Sequence, residues 1–221
     1  NNVSSLYLSI EQTHEAVMMR RVSSRTGIPM SKMKMKNSLT PDDWMKITQA
    51  LNDIKSSTLA VECGVLSPAQ VISRAKNGKK RGLGAVFIDH LGILKGVDYE
   101  NANRSLGALS SKLANLSREL EIVIVTVHQL NRGVEYRDNK KPQLQDLRDS
   151  GAIEQDADVV WFIYRDCYYN HGADPNIATV ICAKNRDGVV GEVDIPVVLT
   201  CGAWGDVAER LLGRETLKCT H

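Results

Sequence analysis

Aromatic side chains, cysteine and proline are all scarce in this 221-residue chain. Aromatics make up 5% of the residues, with only two phenylalanines, so aliphatic side chains have to fill the core. The five cysteines include no Cys-x-x-Cys pair, which argues against a disulfide framework or a zinc ribbon and favours reduced thiols, as in a cytoplasm. Six prolines are too few for a proline-rich linker. The length suits one large domain or two small ones.

Long apolar runs and an excess of either charge are also missing. No stretch approaches the roughly 20 apolar residues of a membrane helix, and residues 1–5 lack the basic and apolar segments of a signal peptide. Lys and Arg number 28 against 26 Asp and Glu, a net charge of +2. That balance neither predicts nor excludes nucleic-acid binding, because a local basic patch decides it.

Predicted strands alternate with predicted helices along the chain. Strands are expected at 3–10, 58–62, 85–89, 122–127, 159–164 and 179–183, with an edge strand at 192–195. The strands at 85–89, 122–127 and 159–164 are apolar enough to be buried in a parallel sheet. Helices are expected at 13–25, from Thr40 as N-cap to about Lys55, from Ser67 to the basic cluster at 76–81, at 103–120 and at 152–158. The order favours an α/β fold with a mainly parallel, twisted sheet flanked by helices.

Polar residues follow four of these strands, at the edge where such sheets bind ligands. Taken singly, each suits a helix cap, a surface loop or a hairpin turn. Taken together, they are the parts of a nucleoside-triphosphate-hydrolysing site: a carboxylate that orients Mg²⁺ and its water, a second that polarises the attacking water, an amide that senses the γ-phosphate, and cations that offset charge. The residues are Glu11, Asp89, His128, Gln129, Lys184 and Arg186.

A long loop is predicted from Arg132 to Arg148, with a modest surplus of basic residues. It suits either a solvated surface loop or a loop that contacts phosphates, with Gly151 near a helix start allowing close backbone approach. Its only aromatic residue is Tyr136, so base stacking is not indicated. The alternating lysines and methionines of residues 32–36 indicate an exposed loop.

Seven short segments, in this order and spacing, resemble the RecA-like C-terminal ATPase domain of the DnaB-like replicative helicase family. They are LSIE at 8–11, MMR at 18–20, FIDHL at 87–91, QLNR at 129–132, DLRDSGAIEQDAD at 146–158, FIYRD at 162–166 and KNRDG at 184–188. The run at 146–158 is the most specific and favours a helicase over a recombinase or clock-type relative.

The resemblance implies a role for each matched site residue. Glu11 would activate water, Asp89 would be the Walker B residue that orients Mg²⁺, and Gln129 would report the γ-phosphate. Arg20 would lie near ATP, and Lys184 and Arg186 would act in trans on a neighbouring subunit. Contacts to single-stranded DNA would come from Arg132, Arg148, Asp149 and Gly151.

The family also implies a homo-hexameric ring, with primase and helicase-loader partners through regions absent here and no membrane. Four residues depart from the pattern common in the bacterial enzymes and suggest a phage or other mobile-element origin. They are His90 for Tyr, His128 for Ser, Asn185 for Gln and Asp149 for Glu.

The family's P-loop, G-x-x-x-x-G-K-[ST], does not occur in the 221 residues. Gly78-Lys79-Lys80 is followed by no Ser or Thr. We therefore expect residues 1–221 to be a single, N-terminally truncated RecA-like domain whose first βα unit is missing, with weak or no ATPase activity alone. The alternative is a non-enzymatic RecA-like module that keeps the ring and DNA contacts.

Overall fold

The computed structural model describes residues 3–94 and 102–213, without the side chains of residues 102–104, 132 and 148–150. The chain divides into two compact units. The first comprises residues 1–14, 58–160 and 183–188, and the second comprises residues 15–57, 161–182 and 189–221.

Eight strands and seven α-helices are described in these ranges. The strands are β1 (Ser4–Ser9), β2 (Leu59–Cys63), β3 (Leu83–Asp89), β4 (Val123–Thr126), β5 (Val159–Tyr164), β6 (Ile177–Asn185), β7 (Gly191–Val198) and β8 (Ala203–Trp204). The helices are α1 (His14–Thr26), α2 (Met30–Lys34), α3 (Pro41–Lys55), α4 (Pro68–Lys79), α5 (Ala102–Leu120), α6 (Gly151–Asp156) and α7 (Asp206–Leu212). The α/β class predicted from the alternation is confirmed.

The first unit is built on a parallel four-stranded sheet in the order β2-β1-β3-β4. On one face of its central strands, Leu8 of β1 and Val86 and Ile88 of β3 are fully buried. Helix α5 covers the sheet with the leucine stripe that the sequence predicts, because residues three and four apart share one helix face. Leu106, Leu109, Leu113 and Leu116 are buried in the same core.

A glycine sets how closely α6 packs on α5. A Cβ added to Gly107 would lie 2.8 Å from the Cβ of Ala152, closer than real Cβ atoms approach. Since that neighbour is a short, rigid side chain, a larger residue at position 107 would force the two helices apart. Ser111 of α5 also donates a hydrogen bond to Asp156 at the other end of α6, at 2.8 Å.

The second unit contains antiparallel strand pairs and a small helical core. Strand β6 pairs with β7 from Ile177 opposite Pro196 to Cys182 opposite Gly191, and β7 pairs with β8. Val22 of α1 packs with Ala50 and Ile54 of α3.

The edge strand predicted at 192–195 is part of a longer strand, and two strands predicted as buried are only partly buried. Strand β7 runs from Gly191 to Val198 and pairs with β8 only at residues 197–198, so the predicted residues 192–195 pair with β6 alone among the described residues. Strand β4 ends the parallel sheet, and its Val123 is exposed while residues 124–126 are only partly buried. Strand β5 is the terminal strand of its sheet and is covered on one face only. Its burial therefore alternates, with Trp161 and Ile163 exposed, instead of being complete.

The described residues include no helix long and apolar enough to cross a membrane. The four described cysteines are free thiols.

Helix α3 begins as the sequence predicts, with Thr40 as N-cap and Pro41 in the first turn. The Asp43 carboxylate accepts the Thr40 backbone N–H at 2.8 Å, and the Thr40 hydroxyl accepts the Asp43 N–H at 3.2 Å, which completes a capping box. Lys32 pairs with the same carboxylate at 2.6 Å.

Residues 30–34 form the short helix α2, so the prediction of an exposed loop at residues 32–36 was wrong for most of its length. Alternation of Lys and Met did not reveal that Lys32 has a partner eleven residues away.

The Lys32 ammonium and the two Thr40 groups lower the pKa of Asp43 to about 2. An unfolded Asp has a pKa of about 3.9, so this carboxylate stabilises the fold fully above about pH 4, and the stabilisation is lost as the pH falls through about 2. We expect Asp43→Asn to be less stable than the wild-type chain at pH 7 in urea unfolding. The difference should disappear near pH 2. Asp42→Asn, on the same turn but exposed, is the matched control, and an equal effect of both variants would contradict the assignment.

Candidate active site

The carboxyl ends of β1, β3 and β4 are joined by backbone hydrogen bonds at one edge of the parallel sheet. The Ile10 N–H donates to the Asp89 carbonyl at 2.7 Å, and the Val127 N–H donates to the Ile88 carbonyl at 3.0 Å. Leu91 in turn donates to the Val127 carbonyl at 3.4 Å. The segments that carry Glu11, Asp89 and His128 therefore start from neighbouring points, as parallel strand order requires.

Asp89 is the last residue of β3 and is half-buried. The Tyr7 hydroxyl donates a hydrogen bond to its Oδ2 at 2.5 Å. Tyr7 lies opposite Phe87 in the β1–β3 register, so it shares a sheet face with Asp89 and reaches along it. Sequence reasoning missed Tyr7. The available signal was the tyrosine itself, the largest polar side chain of β1, two residues before the strand end.

Glu11 follows β1 on a bend, and 56% of its side chain is exposed. Its Oε2 lies 3.8 Å from Nε2 of His90, a buried residue that directly follows Asp89. The carboxylates of Glu11 and Asp89 therefore project from neighbouring segments, and the His90 imidazole lies beside that of Glu11.

His128 is half-buried, and Gln129 next to it is exposed. Burial, and then the nearby His90, lower the pKa of His128 below its ordinary 6.5. The strand-end residue His128 and His90, which in the sequence is only a departure from a family pattern, are thus neighbours in space. Gln129 stays on the surface of the segment after β4.

Lys184 and Arg186 lie at the end of β6 and are held by the last turn of α6 and the residues after it. The Lys184 ammonium donates to the Glu154 carbonyl at 2.6 Å. Arg186 pairs with Asp158 at 2.6 Å, and both side chains are about half exposed. Cations at the carbonyl end of a helix satisfy carbonyls that have no partner within the helix.

The structure describes the side-chain positions of only some of the remaining predicted residues. Arg20 lies on α1 in the second unit and is exposed. Gly151 is the exposed first residue of α6, and a Cβ added there would meet nothing within 4 Å. The side chains of Arg132, Arg148 and Asp149 lie outside the described part of the structure.

The segment predicted as a long loop contains two 3₁₀ helices, Arg132–Tyr136 and Leu144–Ser150. Arg137 joins them with a bidentate pair to the buried Asp146, at 3.0 Å for both contacts. The same guanidinium donates to the Lys141 carbonyl at 2.9 Å, and Lys140 donates to the Glu135 carbonyl at 2.7 Å. Two of the loop's cations therefore fold the loop, which net charge could not reveal.

The described side chains include no group of three or more His, Cys, Asp or Glu that could hold a metal ion by itself. A single half-buried carboxylate at a strand end suits Mg²⁺, which keeps most of its water ligands and takes one or two carboxylates with substrate phosphates. Asp89 fits that requirement.

Comparison with known proteins decides the family. The model of the DnaB-like helicase C-terminal domain matches residues 1–201. The chain is 33% identical over 202 residues to the replicative DNA helicase DnaB of Geobacillus stearothermophilus, covering 89% of this chain and 44% of that protein. It is 34% identical over 195 residues to the replicative DNA helicase DnaC of Bacillus subtilis (strain 168), covering 86% and 43%.

The chain belongs to the DnaB-like helicase C-terminal domain family.

Solved structures of the family share the fold. One solved ATPase domain superposes with a TM-score of 0.87 at 31% identity, covering 93% of this chain and 75% of that one. A DnaB-like replicative helicase, studied with its interactions with primase, gives a TM-score of 0.86 at 32% identity, covering 93% and 51%. The family and the RecA-like α/β fold predicted from the seven segments are confirmed. The chain spans less than half the length of the curated DnaB-like relatives it matches.

The Arg137–Asp146 pair should hold the loop of this DnaB-like domain together. Asp146 is buried and Arg137 is partly buried, so removing the guanidinium leaves an uncompensated carboxylate, and we expect Arg137→Gln to destabilise the fold by about 2 kcal/mol. Backbone amides of residues 131–147 should exchange hydrogen faster. Lys140→Gln, at a cation of the same loop whose ammonium donates to a backbone carbonyl, is the control, with an expected change under about 0.5 kcal/mol. Equal hydrogen-exchange protection of residues 131–147 in Arg137→Gln and Lys140→Gln would show that the Arg137–Asp146 pair does not order the loop.

Proposed function

We propose that residues 1–221 form the larger part of one RecA-like motor domain of a hexameric replicative helicase, which couples ATP hydrolysis to translocation on single-stranded DNA. The observation that carries the proposal is the meeting of Glu11, Asp89 and the segment leading to Gln129 at one edge of the parallel sheet. Family membership supports it, since the matched relatives are replicative DNA helicases.

In this proposal Asp89 holds Mg²⁺ through water, and the ion supplies charge neutralisation at the ATP phosphates. Tyr7 fixes the Asp89 side chain by donating to one carboxylate oxygen. Glu11, which is solvent-exposed, orients the attacking water and accepts its proton. Gln129, exposed after β4, senses the γ-phosphate and passes the signal to the following segment. Arg20 contributes to nucleotide binding.

The phosphate cradle is the part of this site that the 221 residues do not contain. We propose that a P-loop is encoded upstream of Asn1 and that the chain alone hydrolyses ATP weakly or not at all. The gene sequence tests this directly. A G-x-x-x-x-G-K-[ST] motif shortly before Asn1 supports the motor, whereas an initiator Met directly before Asn1 favours the non-enzymatic module.

Single-stranded DNA is proposed to lie along the segment from Arg132 to Gly151, where backbone and basic groups contact phosphates without base stacking. Gly151 suits this role because its backbone is exposed and unobstructed. Arg132, Arg148 and Asp149 are the proposed side-chain contacts. We place the protein in the cytoplasm as a homo-hexameric ring, and a primase and a helicase loader are proposed partners.

Lys184 and Arg186 are proposed to reach the phosphates bound by a neighbouring subunit. Their contacts within this chain are compatible with release, because exposed ion pairs such as Arg186–Asp158 contribute less than about 1 kcal/mol. A phosphate group offers stronger, charge-assisted bonds to the same guanidinium.

Glu11→Gln should abolish DNA-stimulated ATP turnover in the full-length protein. The amide cannot accept the proton of the attacking water, so kcat should fall at least about 100-fold while nucleotide affinity is kept. Steady-state phosphate release and binding of a fluorescent ATP analogue measure the two effects. Glu15→Gln, an exposed carboxylate four residues on, should behave as wild type. Unchanged turnover in Glu11→Gln would remove Glu11 from the catalytic role.

Arg186→Ala subunits should lower the turnover of wild-type neighbours in mixed rings. A finger that acts in trans disables the site of the adjacent subunit, so activity should not follow the wild-type fraction linearly. ATPase rates of rings mixed at several ratios measure the curve, with the exposed Arg118→Ala as control. A strictly proportional loss would argue against action in trans.

A further inference from the structure

We propose that His90 is a positioning residue for Glu11: its Nε2–H directs the Glu11 carboxylate toward the attacking water. The inference rests on the catalytic role proposed above for Glu11. It concerns a second residue, His90, to which neither the sequence motifs nor the family assign a function here.

His90 is held rigidly at the end of β3. It is buried, and its Nδ1 accepts the Gly92 backbone N–H at 3.2 Å. A Cβ at position 92 would lie 3.3 Å from two atoms of the imidazole ring, so glycine lets the chain turn tightly over the ring. The backbone on both sides is fixed as well, because the Asp89 carbonyl accepts from Ile10 and the Leu91 N–H donates to Val127. These contacts restrict the His90 imidazole to one orientation.

The hydrogen bond at Nδ1 also decides where the ring proton lies. A nitrogen that accepts a hydrogen bond carries no proton, so a neutral His90 bears its hydrogen on Nε2. Nε2 is the atom that faces Glu11, at 3.8 Å from Oε2. The donor is therefore already directed at the carboxylate.

Glu11 is the mobile member of the pair. More than half of its side chain is exposed, and a glutamate has several rotatable bonds whose freedom has to be restricted for catalysis. The 3.8 Å separation is longer than a hydrogen bond, so in this inference the exposed Glu11 side chain rotates to close it. Misplacing a catalytic group by about 1 Å can cost about 100-fold in rate, so a fixed donor at this point matters.

The kinetic test compares two replacements of His90 in the full-length protein during DNA-stimulated ATP hydrolysis. His90→Leu fills the site without a donor, and we expect kcat to fall about 10-fold while KM for ATP changes less than about 2-fold. His90→Gln places an amide N–H near the Nε2 position and should recover most of that loss. His171→Leu, at an exposed histidine of the second unit, is the control and should match wild type. Circular dichroism and thermal melting establish that each variant is folded.

A spectroscopic test does not depend on the His90 variants being folded. In protein labelled with ¹⁵N-histidine, His90 should show the Nε2–H tautomer, and Glu11→Gln should shift its Nε2 resonance while the other histidines keep theirs. An unshifted His90 resonance would overturn the proposal. So would wild-type kcat in folded His90→Leu, or equal losses in folded His90→Leu and His90→Gln, which would indicate packing alone.

The two proposals fail in different ways. Wild-type turnover in Glu11→Gln would overturn the catalytic role of Glu11, and this inference with it. Loss of turnover in Glu11→Gln together with wild-type turnover in His90→Leu would overturn the role of His90 alone.

Discussion

The hydrogen bond from the Ile10 N–H to the Asp89 carbonyl, at 2.7 Å, is the contact on which the rest of the candidate site depends. It continues the parallel β1–β3 register one residue past Ser9, which pairs with Asp89. Glu11 and His90 are the next residues on the two segments, so this single bond brings the outer carboxylate and the imidazole face to face. The register in turn is fixed by buried apolar side chains on both strands, such as Leu8 and Ile88. Core packing thus determines the geometry of a polar site.

The segment between β4 and β5 is ordered by different means. It buries a few apolar side chains, such as Val134 and Leu147, and the Arg137–Asp146 pair adds to them, with the Asn131 N–H donating to the Asp146 carbonyl at 3.1 Å. That backbone bond links the segment after Gln129 directly to the base of the proposed DNA loop. Hydrogen bonds and an ion pair therefore contribute to the order of this segment beside its buried side chains, whereas the parallel sheet is held by aliphatic packing.

Sequence reasoning predicted the α/β fold and most element positions, because strong local signals agree with the final packing. Helix α3 begins at the predicted cap, and the leucines of α5 are buried as expected. Short elements were missed, since α2 and α7 have five and seven residues and little periodicity. The burial of β5 was misjudged because an apolar run does not reveal which strand ends a sheet. The candidate site was predicted in its strand-end residues but not in their supports. Tyr7 contacts Asp89 because of the strand register, and His90 is held by the turn at Gly92. The spacing of residues along the sequence does not reveal either contact.

Helix α6 connects two parts of the proposed machinery. It begins at Gly151, the last of the proposed DNA-contacting residues, and the Glu154 carbonyl near its other end accepts from the Lys184 ammonium. The six residues of α6 span about 9 Å along the helix axis. Gly107 lets α6 pack closely on α5 near Ala152. One short helix therefore connects the segment proposed to contact DNA with the strand end that carries Lys184.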